Sequence, residues 1–267
     1  MNWMKYKYVY FAISSVLLIV GIFSLSKWGL KLGIDFTGGI VTEYQLPSGE
    51  VVSEKFSISS EDEASKIRED IKNKNAKELR FEVVGPSIGP ELIKKTLYAL
   101  AISATLILFW VAIQFKSIKF GVSATLATLH DSLILLGSFS LLGHFANVEI
   151  DFLFVTAVLT ILSFSVHDTI VVYDRIREKT KKYDPELGTD IVKIANSALT
   201  ETMVRSLNNS FTIIFMLLSL VLLGGESVRW FAVALLIGTI SGTYSSPFVA
   251  VPLLVLWEEI SKKVRKS

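Results

Sequence analysis

The chain has 267 residues and a net charge of only +2, with 51% hydrophobic and 19% charged residues. Soluble domains carry about 25% charged residues, and no basic tract is present, so the composition excludes an ordinary soluble domain, a disordered chain and a nucleic-acid-binding protein. The sequence contains no cysteine, which excludes disulfides, thiolate metal sites and cysteine nucleophiles. The three histidines are too scattered for a zinc site without cysteine, so an integral membrane protein remains.

Six segments are long and apolar enough to cross a bilayer, which takes about 20 residues in a helix. The first follows Lys5 and Lys7 and could be mistaken for a signal peptide, but no small-residue cleavage site comes after it, so we interpret it as a retained helix. We therefore predict an α-helical membrane protein with six transmembrane helices. The predicted spans are Tyr8–Ser26, Leu92–Gln114, Phe120–Leu142, Phe152–Tyr173, Leu207–Leu223 and Trp230–Leu256.

Lysine and arginine are concentrated in the segments that share a side with the N-terminus, whereas the short loops after the third and fifth spans contain only Arg229. Lys94 and Lys95 run against this trend, but their long side chains can snorkel to the interface. Cytoplasmic loops carry the excess of positive charge. We therefore expect a multi-pass protein of the cytoplasmic membrane with both termini in the cytoplasm.

The long loop between the first two spans has the pattern of a small α+β domain. Alternating residues indicate strands, and a capping box, in which Ser60 and Glu63 close the first turn, indicates a helix. The predicted elements are strands Gly39–Leu46 and Val51–Ile58, a helix from Ser60 to about Asn75, and a strand Leu79–Val84. A β-β-α-β unit of this size buries little apolar surface and leaves sheet edges open, so we expect it to lean on a partner.

These patterns divide the chain into four parts. We predict an N-terminus and first span over residues 1–26, an extracytoplasmic α+β domain over 27–91, a bundle of the other five spans over 92–256, and a basic cytoplasmic tail over 257–267.

Two acids lie inside the apolar spans, and each follows a histidine: His130-Asp131 and His167-Asp168. An aspartate near the centre of a spanning helix costs about 2.5–3.5 kcal/mol on insertion scales, so it usually pairs or lines a wet path. Burial raises the pKa of a carboxyl and a neighbouring cation lowers it, so small rearrangements around such a group can switch its charge. For Asp168 we favour this role in ion coupling over a permanently neutral or structurally hydrogen-bonded group.

For Asp131 the coupling role and a structural role both stay open, because nothing else in its helix indicates a pathway. His130 and His167 can in principle relay protons, since imidazole titrates near neutrality. A single histidine beside a membrane aspartate is more often a polar packing partner, and we favour that interpretation for both.

Arg205 is the natural counter-ion for Asp168, because it precedes the fifth apolar run at a comparable depth. The alternative is an interfacial anchor, as arginine often is. The polar residues 208–210 favour the counter-ion, since a lipid-facing helix would not begin with them. Ser165 and Thr169 make one stripe of the fourth helix polar as well. We therefore predict a wet seam between the fourth and fifth helices.

The last span is rich in small residues and prolines. Gly238 and Gly242 form a GxxxG pattern, which allows close approach of helices, and the prolines free backbone carbonyls and predict a kink. We interpret this face as a helix-packing surface and not as a catalytic site. Its small residues and prolines are Gly238, Ser241, Gly242, Ser245, Ser246, Pro247 and Pro252.

The sequence has neither a phosphate-binding G-x-x-x-x-G-K-[ST] motif nor an H-E-x-x-H motif, and no Ser/His/Asp set is apparent. We expect no enzyme activity, no cofactor and no metal. Any work must then draw on an ion gradient, in which one charge crossing 100 mV is worth about 2.3 kcal/mol.

Several segments, in this order over nearly the whole chain, together resemble the SecD/SecF family of protein-export membrane proteins, a branch of the RND transporter superfamily, and within it the SecF side. They are Gly33–Gly39, Val84–Gly89, Ser165–Glu178, Thr202–Ser206, Gly224-Gly225 and Gly238–Ser246. The family-motif residues that we single out are Asp35, Phe36, Gly38, Gly39, Asp174 and Arg175.

The resemblance implies an RND-like half bundle with a ferredoxin-like outer domain. It implies that the chain works with SecD beside the SecYEG channel, within membrane lipid, and uses a proton or sodium gradient to promote translocation of preprotein. Asp168 matches the family's ion-coupling carboxylate, and Arg205 matches the basic residue in the next helix. His167 stands where the family usually has Asn, Glu201 where it has Gln, and Asn209 where it has Thr, which leaves the coupling ion and its pH range open.

Two alternatives are an RND-type exporter half for lipid or another small molecule, and a passive membrane assembly scaffold. The exporter would need a larger outer region than residues 27–91, because such exporters enclose substrate there. The scaffold would leave Asp168 and Arg205 without a task.

Overall fold

The protein is described by a computed structural model that covers residues 1–56, 61–85, 88–182 and 190–266. Within these residues six helical segments are long and apolar enough to cross a membrane, and one small sheet is present, which confirms the predicted fold class. The elements are α1 (Lys7–Trp28), α2 (Ile34–Thr37), β1 (Gly39–Gln45), β2 (Val51–Phe56), α3 (Glu61–Asn73), β3 (Lys77–Val84), α4 (Ile88–Phe115), α5 (Ile118–Ala146), α6 (Phe152–Lys182), α7 (Ile191–Leu223), α8 (Glu226–Ser245) and α9 (Val251–Lys266).

Helix α7 begins at Ile191, well before the predicted span start at Leu207. The Asp190 side chain caps it by accepting hydrogen bonds from the backbone N–H groups of Val192 and Lys193, at 3.1 and 3.4 Å. Its first part is amphipathic, with buried apolar residues at helical spacing. A search for continuous apolar residues finds only the second part of such a helix, which explains the difference.

The last predicted span, Trp230–Leu256, is interrupted. Helix α8 ends at Ser245, a π-helical turn covers Ser246–Ala250, and α9 follows. Pro247 lies in this turn and has no N–H to donate to the preceding turn. The wider π-helical turn takes up that defect, and such turns are frequent at functional sites. The kink predicted from the prolines therefore takes the form of a π-helical turn.

Helices α1 and α5 approach so closely that glycine is required at position 137 on α5. A Cβ atom built on Gly137 would lie 2.4 Å from the Cα atom of Gly21. One turn further along, the Ser24 hydroxyl donates to the Ser140 hydroxyl over 2.7 Å, and both side chains are buried. Small residues with interhelical hydrogen bonds are what membrane helices use in place of hydrophobic burial.

The sheet is antiparallel with strand order β2-β1-β3. The buried Ile40 on β1 packs with Ala64 on α3, so the predicted order β-β-α-β is the observed one. Arg68 on α3 donates to Glu78 on β3 at 2.6 and 2.9 Å, which lowers the pKa of that carboxyl. The predicted cap at Ser60 and the end of the second strand at Ile58 lie outside the described residues.

The chain divides into two compact units. Lys31–Leu100 forms one of them together with Glu149–Phe152, a segment that the sequence did not assign to the predicted domain 27–91. Backbone hydrogen bonds explain its inclusion: Gly33 N–H donates to the Ile150 carbonyl, and Ile150 N–H donates to the Lys31 carbonyl, both at 2.8 Å. The remaining residues form the helical unit.

We predict that Gly137→Ala lowers the free energy of unfolding by about 1–3 kcal/mol, because its methyl group meets the Gly21 backbone and forces α1 and α5 apart. Gly225→Ala is the control, since a Cβ atom there has nothing within 4 Å. Thermal unfolding in detergent should show a lower midpoint for the Gly137 variant only. Equal midpoints for the two variants would contradict the close packing.

Candidate functional site

Asp131 lies in α5 and has no exposed surface. Each of its carboxylate oxygens has two hydrogen-bond partners. Oδ2 accepts from the hydroxyls of Ser165 and Ser245, and Oδ1 accepts from the Ser241 hydroxyl, all at 2.6 Å. His130 Nδ1 lies 3.1 Å from Oδ1. Hydroxyl donors at this distance are typical of bonds to an ionised carboxylate, so the surroundings of Asp131 accommodate its negative charge.

The three serines reach Asp131 because of helical spacing and a small neighbour. Ser241 and Ser245 are four residues apart on α8 and therefore share one face. Gly242 lies between them, and a Cβ atom there would already be in van der Waals contact with the Cα atom of Ser165, at 3.4 Å. Helix α8 can thus lie close against α6, and serine hydroxyls with their short reach can reach the carboxylate.

Further hydroxyls follow along the same face of α6. The π-helical turn starts directly after Ser245, and Ser246 is also fully buried. Its hydroxyl lies 3.0 Å from that of Thr169. One turn further along, the Tyr173 hydroxyl lies 2.7 Å from Ser123 Oγ and 3.0 Å from the carbonyl oxygen of Ala250. The buried face of α6 is therefore lined with hydroxyls over three successive turns.

Asp168 lies about one turn beyond Ser165 on α6 and is half-buried. Its Oδ2 accepts a hydrogen bond from the Ser206 hydroxyl on α7 at 3.2 Å. A cavity of about 20 Å³ adjoins it, and Ser165 and Ser210 are among the residues that line this cavity. A space of this size with polar walls holds one water molecule. Ser165 thus contacts Asp131 with its hydroxyl and lines the same cavity as Asp168.

His167 and Arg205 are both exposed on the helical unit. Among the described residues no ion pair joins Arg205 to Asp168, although the sequence suggested one. Arg205 is one residue before Ser206, which turns its side chain about 100° away around the helix. It lines a larger cavity, of about 660 Å³, together with Arg175 and other charged residues.

That larger cavity is built from ion pairs between α6 and α7. Arg175 binds Glu201 on α7 with Nε at 2.6 Å from the carboxylate, and it also pairs with Glu178. Lys179 binds the same Glu201 at 2.5 Å. Asp174 pairs with Arg177 at 2.8 Å. The family-motif residues Asp174 and Arg175 therefore belong to a charged cluster away from the Asp131 hydroxyls.

The predicted wet seam between the fourth and fifth spans needs correction. Asp168 bonds to α7 through Ser206, and Ser165 reaches α7 only across the small cavity that it lines with Asp168. Ser165 and Thr169, which were expected to line that seam, bond instead to Asp131 on α5 and to Ser246 after α8. A polar stripe identifies a buried face but not the helix that covers it, because helix rotation is set by tertiary packing.

The GxxxG pattern of the last span faces α6. A Cβ atom on Gly238 would lie 2.1 Å from the side chain of Ile161, and Gly242 meets Ser165. Sequence reasoning assigned this face to packing and missed that its serines are hydrogen-bond donors. The available signal was the spacing of Ser241 and Ser245, which matches the four-residue spacing of Ser165 and Thr169 on α6.

The segment Gly33–Gly39 contains α2, and several of its residues make contacts that fix the local backbone. The Asp35 carboxylate accepts from the backbone N–H of Phe152, the first residue of α6, at 2.8 Å, and Phe36 is buried. Gly38 and Gly39 have φ values of +74° and +133°. A Cβ atom on Gly39 would also lie 2.7 Å from the carbonyl oxygen of Phe56. These residues therefore have structural roles in the described part of the chain.

The described ranges contain no group of three histidine, aspartate or glutamate side chains that could hold a metal ion.

Two family descriptions match the sequence. "Protein export membrane protein SecD/SecF, C-terminal" matches residues 63–260, and the "SecD/SecF GG Motif" matches residues 23–46. Protein translocase subunit SecF of Thermobaculum terrenum is 37% identical over 95% of this chain and 93% of its own length. The SecF subunit of Anaerolinea thermophila is 34% identical, over 97% and 94% of the two chains.

Longer relatives contain a region that is similar to this chain. The translocase subunit SecDF of Bacillus subtilis is 31% identical over 95% of this chain and 37% of its own length. The crystal structure of SecDF from Thermus thermophilus, a translocon-associated membrane protein, matches with a TM-score of 0.84 and 29% identity. The match extends over 97% of this chain and over 39% of the SecDF chain. The chain therefore spans about two fifths of that SecDF structure.

We predict that Gly39→Ala destabilises the protein by at least about 2 kcal/mol more than Gly49→Ala. Both glycines have positive φ, at +133° and +90°, but a Cβ atom on Gly49 has nothing within 4 Å. Backbone strain is common to both variants, so their difference measures the clash with Phe56. Thermal unfolding of the two purified variants provides the comparison, and equal losses would mean that β1 does not need glycine for this contact.

Proposed function

Because the chain belongs to the SecD/SecF family of protein-export membrane proteins, we propose that it acts with a SecD-type partner as an ion-driven subunit of protein translocation. Its relatives over nearly the full length are SecF subunits of the protein translocase. Association with SecD is supported by SecDF proteins, in which a single chain contains the matched region as about two fifths of its length. We further propose that the chain uses an ion gradient and that it cooperates with the SecYEG channel in moving preprotein.

The observation that carries the proposal is the half-buried carboxyl of Asp168 beside a water-sized cavity. Its hydrogen-bond partner on α7 is the neutral hydroxyl of Ser206, and no cation pairs with it in the described part of the chain. A proton or a sodium ion that reaches Asp168 removes an uncompensated charge from the membrane interior. Binding of the ion therefore changes how α6 and α7 attract each other, which is what a gradient-driven machine requires.

Exposed polar groups on the helical unit support a partner in the membrane. His167 and Arg205 are exposed within spanning helices, and so are Asn208 and Asn209 on α7. Charged and polar groups in lipid are costly, so such groups face a water-filled space or another protein. We assign this surface to the SecD-type partner, with Arg205 and His167 as coupling groups that act across it.

The proposed setting follows from the distribution of positive charge. The protein lies in the cytoplasmic membrane with both termini in the cytoplasm, and the α+β domain faces the other side, where it handles preprotein. We propose no enzyme activity, in keeping with relatives that are named as translocase subunits. A passive scaffold would leave the buried carboxyls without a task, so we favour the ion-driven role.

We predict that Asp168→Asn abolishes gradient-dependent export while the variant still folds and binds SecD. The amide can still accept the hydrogen bond from Ser206, but it cannot take up a proton. The measurement is preprotein uptake by proteoliposomes that contain the channel and both subunits, with and without an imposed gradient. Glu258→Gln, which loses only a partly exposed ion pair with Lys119, is the control and should export normally. Normal export by the Asp168 variant would refute the coupling role.

We predict that His167→Asn changes the pH dependence of export and leaves its maximal rate intact. His167 adjoins Asp168 in sequence, and histidine is the side chain whose charge most readily changes at physiological pH. It is exposed, however, and has no hydrogen bond to Asp168 in the described structure. Export measured over a pH series tests this. Complete loss of export at every pH would make His167 an obligatory group, contrary to this expectation.

A further inference from the structure

We propose that Asp131 is a second proton-binding carboxyl, which exchanges a proton with Asp168 through the Ser165 hydroxyl and one water molecule. This inference rests on the proposed coupling role of Asp168 and adds a path and an acceptor to it. It also requires that the coupling ion is a proton, because a relay through the Ser165 hydroxyl can pass a proton and cannot pass a sodium ion.

The first step of the path is the contact of Ser165 with Asp131. The hydroxyl donates to Oδ2 at 2.6 Å, so its hydrogen already points at the acceptor. Its oxygen keeps a lone pair for a second donor. A serine in this arrangement passes its own proton on when it receives another.

The second step is the cavity of about 20 Å³ that Ser165 and Asp168 line together. Its volume matches one water molecule, and Ser210, which is buried, lies in its wall as an additional polar partner. Ser165 and Asp168 are three residues apart on α6 and thus lie on the same side of the helix. A single water between them completes a chain of hydrogen bonds from one carboxyl to the other.

The transfer balances in atoms and charge. Protonated Asp168 gives its proton to the water, the water gives one of its protons to Ser165 Oγ, and Ser165 gives its hydroxyl proton to Asp131 Oδ2. Asp168 ends ionised and Asp131 neutral, while the water and the serine are unchanged. Reversal of the same steps returns the proton.

The surroundings of Asp131 can take the added proton. The Ser245 hydroxyl now donates to Oδ2, and the carbonyl oxygen of Gly242 lies 3.4 Å from it as a second acceptor. When Oδ2 becomes protonated, Ser245 can turn its hydrogen to Gly242 and accept the new proton with its oxygen. Two hydrogen-bond arrangements of one set of atoms then correspond to the two charge states.

The titratable group in direct contact with Asp131 is His130, on the same helix. The contacts from α6 and α8 are serine hydroxyls, and no lysine or arginine pairs with Asp131 in the described ranges. His130 Nε2 is buried and has no hydrogen-bond partner there either. In the described part of the chain, a proton that reaches Asp131 therefore meets hydroxyl donors and no lysine or arginine ion pair.

The test uses the chain with its SecD partner and the channel in proteoliposomes, and infrared difference spectra of samples with ¹³C-labelled aspartate. We expect two protonated-carboxyl bands to change with pH, one lost in Asp131→Asn and the other in Asp168→Asn. Ser165→Ala should keep both carboxyls but slow gradient-driven export by about tenfold or more, since one charge-assisted hydrogen bond of the path is lost. Ser140→Ala also removes a buried interhelical hydroxyl bond, away from Asp131, and should export like the wild type.

The inference is overturned if no band depends on Asp131, which would make the serines a static support of a carboxylate that never changes charge. It is also overturned if Ser165→Ala exports as fast as Ser140→Ala. In either case, loss of gradient dependence in Asp168→Asn would leave the proposed function standing. Retention of gradient dependence in Asp168→Asn would remove the proposed function as well. If Ser165→Ala folds poorly, the inference is tested by the infrared spectra alone: the wild-type protein must show a protonated-carboxyl band that depends on Asp131.

Discussion

The packing of the helical unit depends on how its helices solvate the carboxylate of Asp131. Asp131 has no contact with solvent, and an uncompensated charge in such a place costs several kcal/mol even after relaxation. Three serine hydroxyls at 2.6 Å replace the lost water, and hydrogen bonds to a charged group contribute about 1.5–3 kcal/mol each. Because the donors come from α6 and α8, the charge on α5 fixes how three helices are rotated against one another.

This constraint explains why small residues are concentrated where they are. Serine hydroxyls have a short reach, so they solvate a carboxylate only if the helices lie close together, and Gly238 and Gly242 permit that between α8 and α6. The π-helical turn after α8 serves the same end, since it places the consecutive residues Ser245 and Ser246 both inside. In a bilayer, where burial of apolar surface gives little drive to association, packing and hydrogen bonds hold helices together.

The sequence predicted the features that depend on local composition. Six spans follow from apolar length, and the β-β-α-β order follows from alternation and turn residues. The start of α7 at Ile191 was not predicted, because the first part of this helix is amphipathic and not continuously apolar. The hydrogen-bond partners of Asp131 were not predicted from the sequence for a different reason. Periodicity identifies which residues share a face of one helix, but the pairing of faces between helices is decided by close packing over the whole bundle.

The free energy that an ion gradient supplies is similar to that of one hydrogen bond in the bundle. One charge that crosses 100 mV is worth about 2.3 kcal/mol, close to the contribution of a single hydrogen bond to a carboxylate. A free energy of this size changes the ratio of two hydrogen-bond arrangements roughly fiftyfold. A carboxyl held by several strong ion pairs would not respond to it, whereas one held by hydroxyls can. In the proposed cycle, serine partners in place of arginine or lysine thus give Asp131 and Asp168 hydrogen bonds that a single proton rearranges.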